Sequence, residues 1–216
     1  TPLTPQRRWQ VTPRVDYQLA KNQVLTLRYH FVGSDIQDQG IGGFNLASRG
    51  YGVNNTQHSI QLTETGVYGS VVNETRFQYH GTGIDTLSND SGYALLVLGA
   101  FNGGGAQTGH TTNRNSHTEV TNATTAVRGS HVWKAGIRVR VFRNDITSPQ
   151  NFGGTYTFTS LDHYQKTLSY LQLGYDPARI RALGGGASQF TLTAGNPSLA
   201  VQQTDLGAYV GDDWRI

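Results

Sequence analysis

The stretch that decides the fold is residues 10–31, QVTPRVDYQLAKNQVLTLRYHF. Apolar side chains alternate with polar ones from Val11 to Leu19, and the alternation resumes from Leu25 to Phe31. A period of two places the apolar side chains on one face of a strand and the polar side chains on the other. Residues 20–23 predict a short turn, so the stretch predicts an antiparallel hairpin whose strands are long enough to cross a bilayer at a tilt.

The same pattern recurs along the chain, and it predicts seven long strands at residues 10–19, 24–34, 56–66, 71–83, 117–127, 131–146 and 204–216. Their connections alternate between short and long. The short ones are turns, whereas residues 33–55, 82–116 and 148–203 are long stretches rich in Gly, Asn and Thr. Outer-membrane barrels have short periplasmic turns and long extracellular loops. A soluble sandwich has no reason to place every long loop at one end.

The composition agrees with strands that separate lipid from water. Only 14% of the 216 residues are charged, against about 25% in an average soluble domain. Hydrophobic residues make up 36%, so the missing charge is not replaced by a larger core. The aromatic content of 10% argues against disorder. The net charge of +3 is a small excess without the broad basic stripe of a nucleic-acid site, so no nucleic acid is expected as a partner.

The last long connection predicts structure of its own. Ser160 is placed to cap a helix that Gly174 ends, and Asp176-Pro177 predicts the start of a second short helix. A short strand is predicted at residues 189–194. We therefore expect a folded extracellular loop.

Four segments resemble Oar-like TonB-dependent transporters: residues 151–164 (NFGGTYTFTSLDHY), 186–191 (GASQFT), 195–197 (GNP) and 203–216 (QTDLGAYVGDDWRI). The resemblance implies an all-β, antiparallel transmembrane β-barrel of the bacterial outer membrane with a plug domain in its lumen. It also implies that residues 1–216 are an incomplete segment of that barrel, without the plug and the remaining strands. The implied partners are outer-membrane lipid, an unidentified transported ligand, and the TonB complex, which would be reached through the plug.

The polar faces of the strands supply the candidate substrate-binding residues, which are Arg14, Arg28, His30, Arg76, Arg138 and Arg140. One interpretation is that they hydrate the lumen and pair with one another or with a plug, and this is the interpretation we favour. The other is that they contact the ligand directly. The long loops 82–116 and 148–203 are expected to contribute ligand contacts as well.

No catalytic constellation, cofactor motif or metal site is predicted. The glycine triplets 103–105 and 184–186 lack the Lys-Ser/Thr of a phosphate-binding loop. Asp212 and Asp213 are adjacent in a strand and point to opposite faces. An enzyme is therefore not expected. The alternative function is a secreted β-rich adhesive or glycan-binding module, whose apolar faces would meet in a core rather than face lipid.

Overall fold

The protein is described by a computed structural model that covers residues 3–215. In chain order its strands and helices are β1 (Gln6–Val11), β2 (Arg14–Ala20), β3 (Gln23–Gln39), β4 (Tyr51–Tyr68), β5 (Val71–Ser88), β6 (Ala94–Val97), β7 (Phe101–Gly104), β8 (Thr111–Arg128), β9 (His131–Thr147), β10 (Thr155–Phe158), α1 (Leu161–Gln172), α2 (Pro177–Ala182), β11 (Gln189–Thr191) and β12 (Ser198–Trp214). No helix in this range is both long and apolar enough to cross a membrane.

The large sheet is an antiparallel meander with the order β1-β3-β4-β5-β8-β9-β12, in which β2 also pairs with β3. Strands β4 and β5, and strands β8 and β9, are joined by two-residue turns. Gly69 and Gly129 occupy these turns with φ near +60°, a conformation that suits glycine. The predicted hairpins and the antiparallel fold are confirmed. Over residues 3–215 the sheet does not close on itself.

The strands are longer than the sequence predicts, and the extra length lies mainly on the long-loop side. Strand β3 continues to Gln39 rather than residue 34, β5 to Ser88 rather than residue 83, and β12 begins at Ser198 rather than residue 204. Backbone pairing continues there. The apolar–polar alternation that marks a strand is lost, although the hydrogen-bonded ladder persists. Ile216, the last residue of the seventh predicted strand, lies outside the described range.

The first predicted strand, residues 10–19, is interrupted. Strand β1 ends at Val11 and β2 begins at Arg14, although both pair with β3. Pro13 has no N–H to donate to the ladder, yet its carbonyl oxygen still accepts a hydrogen bond from Tyr29 N at 3.0 Å. The break is therefore local, and the two pieces act as one edge of the sheet.

Two of the long loops fold together into a second sheet, although the sequence predicted irregular structure for residues 82–116 and, for residues 148–203, two helices and one short strand at 189–194, which forms at Gln189–Thr191. Strands β6 and β7 come from one loop and β10 and β11 from another, and their order is β11-β10-β6-β7. Helices α1 and α2 form as predicted, with Ser160 Oγ accepting from His163 N at 3.3 Å. We call residues 94–104 and 155–191 together the loop module.

The buried side chains of the described chain are concentrated in and around this loop module. Val97, Phe158 and Ile180 are at most 5% exposed, and Ala94 and Thr155 are buried beside them. The large sheet contributes no large apolar side chain to a core of this kind within residues 3–215. Over residues 3–215 the compact core therefore lies outside the main sheet.

Candidate functional site

One face of the large sheet is an exposed apolar band. The strand register aligns one residue from each long strand in a single row: Val15, Leu27, Leu62, Phe77, Val120, Val139 and Leu206. Every member is at least 36% exposed. A continuous apolar surface of this extent is not stable in water. Because the row does not pack against another sheet, the sandwich alternative is excluded for the described residues.

The opposite face is polar and charged. The next row, displaced by one residue along each strand, contains Arg14, Arg28, Gln61, Gln78, Glu119, Arg140 and Asp205. All six predicted site residues lie on this face, as their alternation with the apolar residues requires. They do not form one pocket, because they are spread from β2 to β9. Arg14 and Arg28 are direct cross-strand neighbours, whereas Arg76 and Arg138 flank Thr121.

Three of the six predicted residues are held by carboxylates. Arg14 Nε lies 2.8 Å from Asp16 Oδ2, and Arg76 Nη2 lies 2.7 Å from Glu74 Oε1. Arg140 Nη2 lies 2.6 Å from Asp205 Oδ2 on the neighbouring strand β12. These pairs match the interpretation that the polar face largely satisfies itself.

The other three predicted residues form no ion pair with a carboxylate of residues 3–215. His30 Nδ1 lies 3.0 Å from the Thr12 hydroxyl. Arg28 and Arg138 have no ion pair with a described residue. Among residues 3–215, no group of three or more His, Asp or Glu side chains could hold a metal ion. The geometry therefore offers free cationic donors rather than an acid–base or metal-binding constellation.

The comparison with protein families decides what these two faces meet. The model of the outer membrane beta barrel domain matches residues 1–216. The chain belongs to the outer membrane beta barrel domain family. Its apolar face is therefore the lipid face, its polar face is the lumen face, and the protein is located in the bacterial outer membrane.

A solved structure has the same fold. The chain is similar to the outer membrane transporter YddB from Escherichia coli, with a TM-score of 0.57 over 97% of this chain and a sequence identity of 10%. The match covers 26% of that transporter, so the chain spans about a quarter of its length. A comparison with curated proteins finds no similar sequence.

An aromatic cluster marks the short-turn end of the lipid face. The His131 ring stacks between Trp133 and Trp214, with ring centroids 5.9 and 5.7 Å apart. Its Nδ1 lies 2.6 Å from Asp212 Oδ2, and Trp214 Nε1 donates to Ser130 Oγ at 3.1 Å. Aromatic rings with polar edges favour the interface between lipid and water. The cluster therefore indicates the periplasmic boundary of this outer membrane barrel.

The sequence did not reveal a polar cluster on the lipid face. Asn122 Nδ2 donates to Asn73 Oδ1 at 3.1 Å and to Thr75 Oγ1 at 2.8 Å, while Asn73 Nδ2 donates to Thr124 Oγ1 at 2.7 Å. Glu64, opposite Thr75, has a buried Oε1 without a hydrogen-bond partner among the described residues. Mutual hydrogen bonding reduces the cost of placing the amides and hydroxyls in lipid. The signal in the sequence was the break in alternation at these positions.

The loop module lies at the long-loop, extracellular end, and its charged groups stabilise its local structure. Asp176 caps α2, and the hydrogen bond from the Arg179 backbone N–H holds the pKa of the Asp176 carboxyl below its ordinary value. On α1, the hydrogen bond to Asp162 raises the pKa of Lys166. Arg49, from the first long loop, donates to the Gly105 carbonyl oxygen, and its burial lowers its pKa. Arg49 thereby links the first loop to the segment that follows β7.

Proposed function

We propose that the chain is a segment, residues 1–216, of the barrel of a TonB-dependent transporter of the Oar-like kind. The longer protein, here called the parent protein, would import an unidentified ligand across the outer membrane with energy delivered by TonB through a plug domain. In this proposal the chain has no enzymatic role, and its functional surfaces are the lumen face and the extracellular loops.

The lumen face is the observation that carries this proposal. It is a charged wall seven strand positions wide that remains open over the described residues. Small eight-stranded barrels fill their interior with side chains, whereas larger barrels enclose a wide lumen. A wall with free cationic groups at Arg28 and Arg138 suits a hydrated passage. The likeness to a solved outer membrane transporter supports transport. The link to TonB rests on the sequence resemblance of residues 151–164 and 203–216.

The test is energy-dependent uptake by whole cells. Cells with and without the parent protein are supplied with a defined mixture of oligopeptides, oligosaccharides and ferric chelates, and depletion of each compound is followed by mass spectrometry. We expect one class to be depleted only when the parent protein is present, and a protonophore to abolish the depletion. Uptake that persists after the proton gradient collapses would indicate a passive channel and contradict the proposal.

The lumen face is tested with two matched variants on β9. Arg138 lies on the lumen face without an ion-pair partner, whereas Arg143 lies on the opposite face, where it donates to Gln202 Oε1 at 2.8 Å. Arg138→Gln should reduce uptake while the amount of folded protein stays normal, and Arg143→Gln should leave uptake unchanged. Equal uptake by both variants would show that Arg138 only hydrates the lumen.

A further inference from the structure

The loop module contains an open cavity that nothing in the barrel architecture requires. Its volume is about 580 Å³, within the range of about 300–1,000 Å³ found for small-molecule sites. One face of the four-stranded sheet forms its floor, and helices α1 and α2 form its other wall. Phe158 and Ile180 are buried in this lining, whereas Phe190 and Leu171 are half exposed.

The cavity is lined by large apolar side chains that remain exposed. Phe190 is 50% and Leu171 53% exposed, and Tyr156 packs against Phe190 with ring centroids 4.5 Å apart. Well-packed interiors do not leave such side chains beside open space. The lining therefore favours a ligand with an aromatic or branched aliphatic group.

Two polar side chains of the cavity, those of Thr167 and Ser188, have partners within the loop module, whereas the hydroxyl groups of Tyr93, Tyr156 and Tyr164 and the Gln189 amide have none among residues 3–215. Thr167 Oγ1 accepts from Gly186 N at 2.6 Å and donates to the His163 carbonyl oxygen. Ser188 Oγ donates to the Thr157 carbonyl oxygen at 2.9 Å. These groups lie in a lining that is otherwise mainly aromatic and aliphatic.

One cation is available in the cavity. Arg181 is the only charged group in the described lining, and its stem packs against Gly186, where an added Cβ would lie 2.9 Å from its Cγ. No carboxylate among residues 3–215 forms an ion pair with it. An arginine guanidinium binds a carboxylate through two parallel hydrogen bonds.

We propose that this cavity binds a carboxylate carried next to an aromatic or branched aliphatic group, with the carboxylate on Arg181 and the apolar group beside Phe190. Two sources share this chemistry, a free carboxylic acid and the C-terminal residue of an oligopeptide. The outer edge of β11 pairs with no described strand, so an extended peptide has a backbone edge to bind as well. The ligand's role as cargo rests on the proposed function, whereas its binding can be measured separately.

The test measures binding to the purified parent protein in amphipol by ligand-observed NMR. The probes are Gly-Gly-Phe, its C-terminal amide, Gly-Gly-Gly and phenylacetate. We expect Gly-Gly-Phe to bind about tenfold more tightly than its amide, since a hydrogen bond to a charged group is lost, and Gly-Gly-Gly not to bind. If Gly-Gly-Phe binds much more tightly than phenylacetate, the source is a peptide. Similar affinities indicate free acids, and both results support the shared chemistry.

Matched variants locate the site. Arg181→Gln should weaken Gly-Gly-Phe about tenfold and leave the amide unchanged. Arg179→Gln, which alters an arginine stacked 4.0 Å from the Tyr175 ring and outside the lining, should change neither. Leu168→Ala should weaken both probes, whereas Leu173→Ala, outside the cavity, should not. Normal heat-modifiability and outer-membrane abundance confirm that each variant is folded.

Equal affinity for acid and amide, no effect of Arg181→Gln, or no binding of any probe would overturn the proposal. Uptake is scored independently in cells. A parent protein that binds Gly-Gly-Phe but imports no compound of the mixture would refute transport and leave the cavity assignment standing. Import of other compounds without binding of Gly-Gly-Phe would support transport and refute the cavity assignment.

Discussion

Phe77 and Gln78 allow the most direct energetic test of the two faces, because they are adjacent on β5 and face opposite sides. Phe77 lies in the middle of the apolar row, between Leu62 and Val120. Gln78 lies on the lumen face opposite Glu119. Phe77→Arg and Gln78→Arg therefore introduce the same side chain into the same strand, once toward lipid and once toward the lumen.

The expected effects differ by several kcal/mol. An arginine near the bilayer midplane costs about 2–4 kcal/mol. Phe77 is 36% exposed, roughly 70 Å² of a side chain of about 200 Å², and losing that lipid contact at about 25 cal/mol per Å² costs about 2 kcal/mol more. The sum of about 4–6 kcal/mol is comparable to the whole stability of many domains. Gln78→Arg meets Glu119 in a hydrated lumen and should change stability by less than about 1 kcal/mol.

The assay is urea unfolding of the parent protein in lipid vesicles, followed by heat-modifiability on a gel, together with outer-membrane abundance in cells. We expect Phe77→Arg to be poorly assembled and Gln78→Arg to be close to wild type. Equal loss from the two variants, or a greater loss from Gln78→Arg, would refute the assignment of the faces.

Three further outcomes follow from the local geometry. Asn122→Val should destabilise the parent protein by about 1–2 kcal/mol in urea unfolding, because Asn73 Oδ1 loses the hydrogen bond that Asn122 Nδ2 donates to it, and adding Asn73→Val should recover most of the loss. Gly136→Ala should cost about 1–3 kcal/mol, since the new Cβ would lie 2.8 Å from the Asn122 carbonyl oxygen, whereas Gly207→Ala, with nothing within 4 Å, should be neutral in the same assay. The lowered pKa of Asp176 means that its contribution to α2 is present above the ordinary Asp pKa of about 3.9 and is lost as the pH falls through the lowered value. The protection factors of the α2 amides, which are corrected for the intrinsic exchange rate at each pH, should therefore fall on acidification, and less so in Asp176→Asn.

The parts of the fold that could be predicted from the sequence are those in which neighbouring residues meet different surroundings. Between Val11 and Leu19, or Val132 and Val141, lipid and water impose opposite demands on successive side chains, so the pattern is visible. The caps at Ser160 and Asp176 are equally local, since each oxygen accepts from an N–H within three residues. Both kinds of prediction were confirmed.

The remainder depends on partners distant in the chain. The pairing of β6 with β10 joins segments about 60 residues apart in sequence, and neither segment carries an alternating pattern long enough to indicate it. The hydrogen bonds between Asn73 and Asn122 depend on the register of β5 against β8. For the candidate site, alternation predicted the faces of Arg138 and Arg140. It could not predict that only Arg140 has a carboxylate, Asp205, on the neighbouring strand.

The central claim is that β9 separates lipid from a hydrated lumen, and cysteine scanning tests it most directly. The chain has no cysteine, so single cysteines can be placed in turn at residues 133–142, except 136, and spin-labelled in the parent protein in vesicles. Collisions with oxygen, which concentrates in lipid, and with a water-soluble nickel chelate are measured by electron paramagnetic resonance. We predict that odd positions from 133 to 141 favour oxygen and that even positions favour the chelate. Loss of this alternation, or its reversal, would contradict the assignment of an outer membrane barrel strand.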